Sequence, residues 1–277
     1  MDKDYVHPTF GALIETRLRV LTWNLWGRGG PVEERLAAIA TVLAETQPDV
    51  VALQEVWEEQ DGRNQAAHLA TPLGFEYAYG RRYAIDGIAI GNAILSRWPI
   101  VGIEIRTLPA PPETDELRNV VRAEVDGPRG RLAVYTTHLN WQFDQSHVRQ
   151  SQVRAIAQFI DEFAHDDHPP ILAGDLNAVP DSDEVRLLTG RAAVPVPGLV
   201  FHDAWEVAGD GSPGFTWTND NRWARRDLEP DRRIDYVLVG WPKRGGAGQV
   251  ISCRLVGRPI DGVDPSDHLG VLADLRY

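Results

Sequence analysis

Six short polar clusters interrupt the apolar stretches of this chain: Trp23-Asn24, Gln54-Glu55, His138-Leu139-Asn140, Asp175-Leu176-Asn177, Ile234-Asp235-Tyr236 and Asp267-His268. Together they hold one Glu, three Asp, three Asn and two His. A carboxylate such as Glu55 can hold Mg²⁺ through one or two oxygens while waters and a substrate phosphate complete the shell. A cation held there can polarise a phosphoryl oxygen. A carboxylate such as Asp175 can orient and deprotonate a water for in-line attack. Asn and His donors can stabilise charge on a phosphorus centre, and a His needs an orienting partner, for which an Asp is usual. No Ser or Cys stands in a comparable setting, so direct attack by water is favoured over a covalent intermediate. Taken singly, each cluster has a bland reading. Glu55 before Val-Trp reads as a solvated acid, Asp267 as a turn former, "GDLN" as a turn, and the His of "TTHLNW" as a structural hydrogen-bonder. The combination points to phosphate-ester hydrolysis.

These side chains need a scaffold that brings them together. The stretches "RLRVLTWNLWG" (17–27, strand then polar loop), "PDVVALQEVW" (48–57), "PPILAGDLNAV" (169–179), "RRIDYVLVG" (232–240), "VISCRLVG" (250–257) and "HLGVLADLRY" (268–277) read as strands, as do 75–79, 88–95 and 100–106. Residues 118–141 read as two strands around a Gly/Pro turn. Helical spacing marks 31–47, with Pro31 in its first turn, then 61–73, 147–166 and the segment after Ser182, which Gly190 stops. "LVFHDAWEVAG" reads as helical in part. Every cluster but Asp267-His268, which precedes its strand, is expected at or near the C-terminal end of a strand. Ligands of α/β sheets bind outside strand ends. Asp175 and Asn177, two apart, are expected to share one strand face. Helices alternate with strands, yet several strand pairs lack a helix between them, which predicts an α/β fold with mixed sheets.

The composition narrows the class. Apolar residues make up 43% of 277 residues, and no stretch approaches the length of a membrane span. "MDKDYVHPTF" has no apolar signal core, so a cytoplasmic location is expected. Cys253 is the one cysteine, which excludes an internal disulfide and suits a small core residue. A net charge of −12 argues against broad contact with a nucleic-acid backbone, although a local basic patch can oppose it.

The segments "TWNLWG", "LQEVW", "GNAILSRWPI", "TTHLNW", "AGDLNAVPDS", "RRIDYVLV" and "SDHLGVLADL", in this order, resemble the endonuclease/exonuclease/phosphatase superfamily, whose members include pancreatic-type deoxyribonucleases, abasic-site endonucleases, neutral sphingomyelinases and inositol polyphosphate 5-phosphatases. The resemblance runs from about Arg19 to Tyr277. It implies one domain over 1–277, with 1–16 as an N-terminal extension, folded as a four-layer α/β/β/α sandwich of two mixed sheets with helices outside. It also implies roles. Glu55 matches the main Mg²⁺ (or Mn²⁺) ligand, with Asn24 helping through the metal site or the phosphate and Asp267 a further carboxylate on the metal side. Asp175 matches the residue that positions water, and Asn177 a phosphate donor. His268, oriented by Asp235, matches the imidazole on the scissile phosphate, and His138 a second imidazole. The chain departs from the deoxyribonuclease pattern where a Glu supports that second imidazole: the matching strand offers Asn92, so His138 is expected to donate to phosphate rather than act as a strong acid.

Substrate is less legible. Trp26, Trp57, Trp141 and Trp217 follow the motifs; Trp26 and Trp141, with Asn140, are the candidates for contact with substrate, while Trp57 and Trp217 lean towards the core. Five Arg lie between Thr216 and Asp235, where they could clamp an extra phosphate or pair with nearby acids. No apolar hairpin suited to lipid insertion is evident. The expected activity is a phosphodiesterase or phosphatase acting on a small or lipid-derived ester. The alternatives are a nuclease on DNA or RNA and a non-catalytic binding domain of the same fold.

Overall fold

The structure is a computed structural model that describes residues 10–85, 87–111, 117–164 and 167–277. Two six-stranded sheets dominate it. The first holds β1 (Arg17–Asn24), β2 (Val50–Glu59), β3 (Glu76–Ile85), β4 (Ile88–Ser96), β11 (Val250–Val256) and β12 (Gly270–Arg276), in the order β11-β12-β1-β2-β4-β3. The second holds β5 (Ile100–Thr107), β6 (Asn119–Gly127), β7 (Gly130–His138), β8 (Ile171–Asp175), β9 (Phe201–Asp203) and β10 (Asp235–Gly240), in the order β5-β6-β7-β8-β10-β9. β1 and β2 are parallel, as are β7 and β8, and the remaining pairs are antiparallel. Both sheets are therefore mixed.

The layers follow from which faces are apolar. Val20, Ala52 and Ile94 of the first sheet pack on Val121, Val134, Ala173 and Val237 of the second, forming the central core. Strands β1, β2, β7 and β8 are buried on both faces, so they read as near-continuous apolar runs rather than alternating ones. On the outer face of the first sheet, Leu21 and Trp23 meet Leu36, Ile39 and Leu43 of α1 (Val32–Thr46) and Leu69 of α2 (Gln65–Ala70). On the outer face of the second, Tyr135, Leu172 and Leu238 meet Val153, Ile156 and Phe159 of α3 (Ser146–Asp161) and Val185 of α4 (Asp183–Leu188). This is the four-layer sandwich expected.

Several local expectations change. Pro31 sits at the N-cap of α1, and Gln47 ends that helix in the left-handed region, its N–H reaching Leu43 O. The helix expected over 61–73 shrinks to α2 and a following 3₁₀ turn over 71–73. Residues 165–166, the end of the helix expected over 147–166, lie outside the described residues, as do 1–9 of the expected N-terminal extension. "LVFHDAWEVAG" divides into β9 and a short α5 (Ala204–Ala208), capped by the Asp203 carboxylate. Among the described residues no helix is long and apolar enough to cross a membrane.

Candidate active site

Strand direction gathers the polar clusters at one end of the sandwich. Asn24 closes β1, His138 closes β7 and Asp175 closes β8. Antiparallel β10 and β12 run the other way, so Asp235 opens β10 and Asp267-His268 precede β12. The Ile234-Asp235-Tyr236 cluster thus belongs to the start of a strand, not to the C-terminal end expected. Sheet register does the rest: Asp175 lies opposite His138 on one side and Asp235 on the other, so the three stand in a row.

Glu55 is also placed differently from expectation. It lies inside β2, where the register with β4 shifts between Leu53 and Val56 and Glu55 takes φ 55°. This bulge breaks the two-residue alternation and lets Glu55 reach the end of the sheet from mid-strand. Beside it, buried Gln54 spans the two sheets, donating to Thr136 Oγ1 at 2.9 Å. Asn177 does not continue the strand. It takes φ 50°, its N–H donates to Asp175 Oδ1 at 2.8 Å and its Nδ2 to Leu139 O at 3.1 Å. The pair is held by a side-chain turn, not by a shared strand face. Gly174 is required by close approach, since a Cβ there would lie 2.1 Å from Thr137 O.

The side chains contact one another directly. Asn24 Nδ2 donates to Asp175 Oδ2 at 3.0 Å. His268 Nδ1 is 2.9 Å from Asp235 Oδ2, and its Nε2 is 3.8 Å from Asp175 Oδ2. His138 Nε2 is 3.4 Å from the same Asp175 oxygen, and its Nδ1 is 3.9 Å from Glu55 Oε1. Arg82 Nη1 donates to His138 Nδ1 at 3.4 Å. All of these groups but Asp235 line an open cleft of about 1110 Å³.

Burial and mutual charge tune the set. Burial, reinforced by Asp235, pushes Asp175 up to about 6. Burial pushes Asp267 up to about 7, with Glu55 adding to the rise. For His268 burial opposes charge, yet Asp235, Asp267 and Asp175 outweigh it and hold the imidazole up to about 10. His138 goes the other way, held well below the ordinary histidine range by burial and by Arg118, Arg82 and His268. At neutral pH the cleft thus pairs one imidazolium with one neutral imidazole. The latter accepts at Nδ1 from Arg82, which leaves Nε2 as its donor.

The donor chemistry fits a hard divalent cation. Glu55 and Asp267 are oxygen ligands close enough to raise the latter's affinity for protons, and a cation between them would relieve that repulsion. The tightest trio of ligand-type groups among the described residues is different: Asp175, Asp235 and His268, whose atoms lie within 4.8 Å of one another. His268 Nδ1 is already engaged by Asp235. Glu55 and Asp267 thus could hold a cation, and the trio could exchange protons and bind phosphate.

Of the predicted residues, Asn24, Trp26, Glu55, His138, Trp141, Asp175, Asn177, Asp267 and His268 line the cleft, and Asp235 is buried behind His268. Asn140 is the exception. Its side chain is fully buried, donating to Gln145 Oε1 and accepting from Gln152 Nε2, so it braces the loop after β7 instead of facing substrate. The Asn92 amide donates to Asn119 Oδ1 at 2.8 Å. Trp217, expected to lean towards the core, is buried but also lines the cleft, its ring 5.0 Å from that of His268. Arg82 and Arg118, which also line the cleft, were not foreseen; in an arginine-rich chain nothing local distinguishes them, and only the β3–β6 packing brings them to His138.

The sequence profile of the Endonuclease/Exonuclease/phosphatase family matches residues 21–268. Tyrosyl-DNA phosphodiesterase 2 of Rattus norvegicus is 30% identical over 267 residues, which cover 92% of this chain and 66% of that protein. Sphingomyelin phosphodiesterase 2 of Homo sapiens is 26% identical over 290 residues, covering 94% and 64%. Among solved structures, D. rerio TDP2 complexed with a single-strand DNA product superposes with a TM-score of 0.75 at 25% identity, covering 95% of this chain and 100% of that one. The chain spans about two thirds of the length of these curated relatives.

Proposed function

Because the chain belongs to the Endonuclease/Exonuclease/phosphatase family, we propose that this cleft is a metal-dependent phosphoesterase in which water attacks phosphorus in line. The observation that carries the reading is the row His138, Asp175, Asp235 and His268, buried at the foot of an open cleft. Asp175 orients the attacking water and takes its proton, and its raised affinity for protons suits a base working near neutrality. His268, kept as imidazolium by Asp235, donates from Nε2 to the phosphate, where negative charge grows in the transition state. Neutral His138 donates from Nε2, and the second amide hydrogen of Asn177 serves a further phosphate oxygen. A divalent cation such as Mg²⁺ or Mn²⁺, held by Glu55 and Asp267 with Asn24 beside them, would supply Lewis-acid polarisation of the phosphoryl oxygen.

We infer a phosphodiester of a small or lipid-derived molecule as substrate, hydrolysed by one unit spanning 1–277 in the cytoplasm. Trp141 and Phe143 on the loop after β7 are 51% and 56% exposed, and Leu228 is 89% exposed. Arg232 joins these loops, standing 4.4 Å over the Phe143 ring and pairing with Glu229. Such an apolar rim suits an ester with an apolar portion, and Asp227 and Glu229 in the lining disfavour a long polyanion. The likeness to the DNA-bound D. rerio structure, with Arg82 and Arg118 in the cleft, supports a nuclease as the second reading. The test is to incubate the protein with bis-p-nitrophenyl phosphate, p-nitrophenyl phosphate and plasmid DNA, each with Mg²⁺, Mn²⁺ or EDTA. Metal-dependent diester cleavage with intact plasmid is expected. A nicked plasmid would favour the nuclease, monoester cleavage alone a phosphatase, and silence throughout a non-catalytic domain.

A further inference from the structure

Arg35 projects from α1 into the floor beneath the metal side of the cleft and is 1% exposed. Its hydrogen-bond partners are all main-chain carbonyls. Nη1 donates to Leu25 O at 2.8 Å and Pro265 O at 3.0 Å, Nε to Gly29 O at 2.9 Å, and Nη2 to Gly27 O at 3.0 Å and Trp26 O at 3.4 Å. The Trp26 ring lies over the guanidinium at 4.9 Å. A guanidinium has five N–H donors, and here five carbonyls on two loops take them.

Those two loops carry the cation-side groups. The first follows β1, whose last residue Asn24 accepts through Oδ1 from Trp26 N at 3.0 Å. The second leads through Ser266 to Asp267 and His268, and Ser266 Oγ donates to Asn24 O at 2.6 Å. A buried charge is costly without a nearby opposite one. Arg35 has Asp267 and Glu55 within electrostatic reach but makes no hydrogen bond to either. Its donors are spent on the backbone, so Arg35 occupies no oxygen of either carboxylate. Lys could supply the charge but not the planar fork.

Resting on the reading that Glu55 and Asp267 hold a cation, we propose that Arg35 is a positioning residue for that cation: it ties the loop after β1 to the loop before β12 and so fixes where Asn24, Asp267 and Trp26 stand relative to Glu55.

The experiment is calorimetric titration of Mn²⁺ into the full chain, wild type and variants, with thermal unfolding of each in parallel. Loss of an outer-shell partner weakens metal binding by about 10- to 100-fold. Arg35→Lys and Arg35→Met are both expected to fall in that range. Arg149→Lys serves as control: Arg149 is another buried clamp, on Asn140 O and Gln142 O at the far rim, and its loss should lower Tm while leaving Mn²⁺ affinity unchanged. Wild-type affinity in Arg35→Lys would overturn positioning. Tighter binding in Arg35→Met with an unchanged Lys variant would reduce Arg35 to a charge effect and overturn it likewise. If neither Arg35 variant folds, Ser266→Ala decides, since it removes the second tie between the same loops. Weaker Mn²⁺ binding supports the proposal and unchanged binding refutes it. Glu55→Gln separates the two levels: if it binds Mn²⁺ like wild type, the metal reading itself fails, whereas lost binding there with intact binding in Arg35→Lys removes only the role of Arg35.

Discussion

Asp175 accepts from Asn24 and from the Asn177 backbone and stands between two imidazoles, one charged and one neutral. Asp175→Asn keeps the shape and removes the charge, so kcat should fall by roughly 10³-fold or more with Tm nearly unchanged. A variant that keeps most of its activity would remove Asp175 from the role of base. Glu55→Gln should raise the metal concentration for half-maximal activity at least about 10-fold, and an unchanged activation curve would reject Glu55 as the main ligand. At this scale much of the site is legible in the sequence, because carboxylate, amide and imidazole stand out against apolar strands. Asn140 reads like the others and yet braces a loop, because its neighbours Gln145 and Gln152 claim it. Arg35, Arg82 and Arg118 carry no local signal, since an arginine on a helix or strand reads as solvated surface unless its tertiary surroundings are known.

Strand ends and one bulge convert a linear list of residues into a site. The parallel pairs β1–β2 and β7–β8 bring strand ends to one side, and antiparallel β10 and β12 return with their starts there. Gly174 lets β8 approach β7 closely enough for Asp175 to sit beside His138. Gly174→Ala should therefore cost more than about 2 kcal/mol, because the Thr137 carbonyl it would meet is backbone and cannot swing aside. Urea unfolding measures this directly, and a loss under about 0.5 kcal/mol, the level of an ordinary surface substitution, would show that the strands part easily. The mixed sheets were legible in the way strands and helices follow one another, whereas the layer order came from the family resemblance alone. The bulge at Glu55 was not, because it exists only in the pairing of β2 with β4, which no stretch of β2 specifies alone.

The whole molecule sets the conditions under which the cleft works. His168 packs against Tyr277, far along the sheet from the cleft residues, and its Nδ1–H donates to Pro169 O. Burial pulls it down to about 4, below its value of about 6.5 in an unfolded chain. The unfolded state thus binds the proton more readily. Stability from this group is complete above pH 6.5 and drains away as pH falls towards 4, by up to about 3 kcal/mol. His168→Asn, which can keep the donor but not the titration, should flatten the fall in urea midpoint between pH 7 and 4.5, and an unchanged slope would place the acid sensitivity elsewhere. With a net charge of −12, hydrolysis of a small or lipid-derived ester should vary little between about 50 and about 200 mM salt, whereas a loss of 10³-fold or more would signal a polyanionic substrate. The most direct test of the account is the rate of bis-p-nitrophenyl phosphate hydrolysis by wild type and Asp175→Asn across a Mn²⁺ titration, closed by addition of EDTA. The account predicts cleavage by wild type that rises with Mn²⁺, stops with EDTA and is absent in the variant. Equal rates in the two proteins, or cleavage indifferent to the metal, would contradict it.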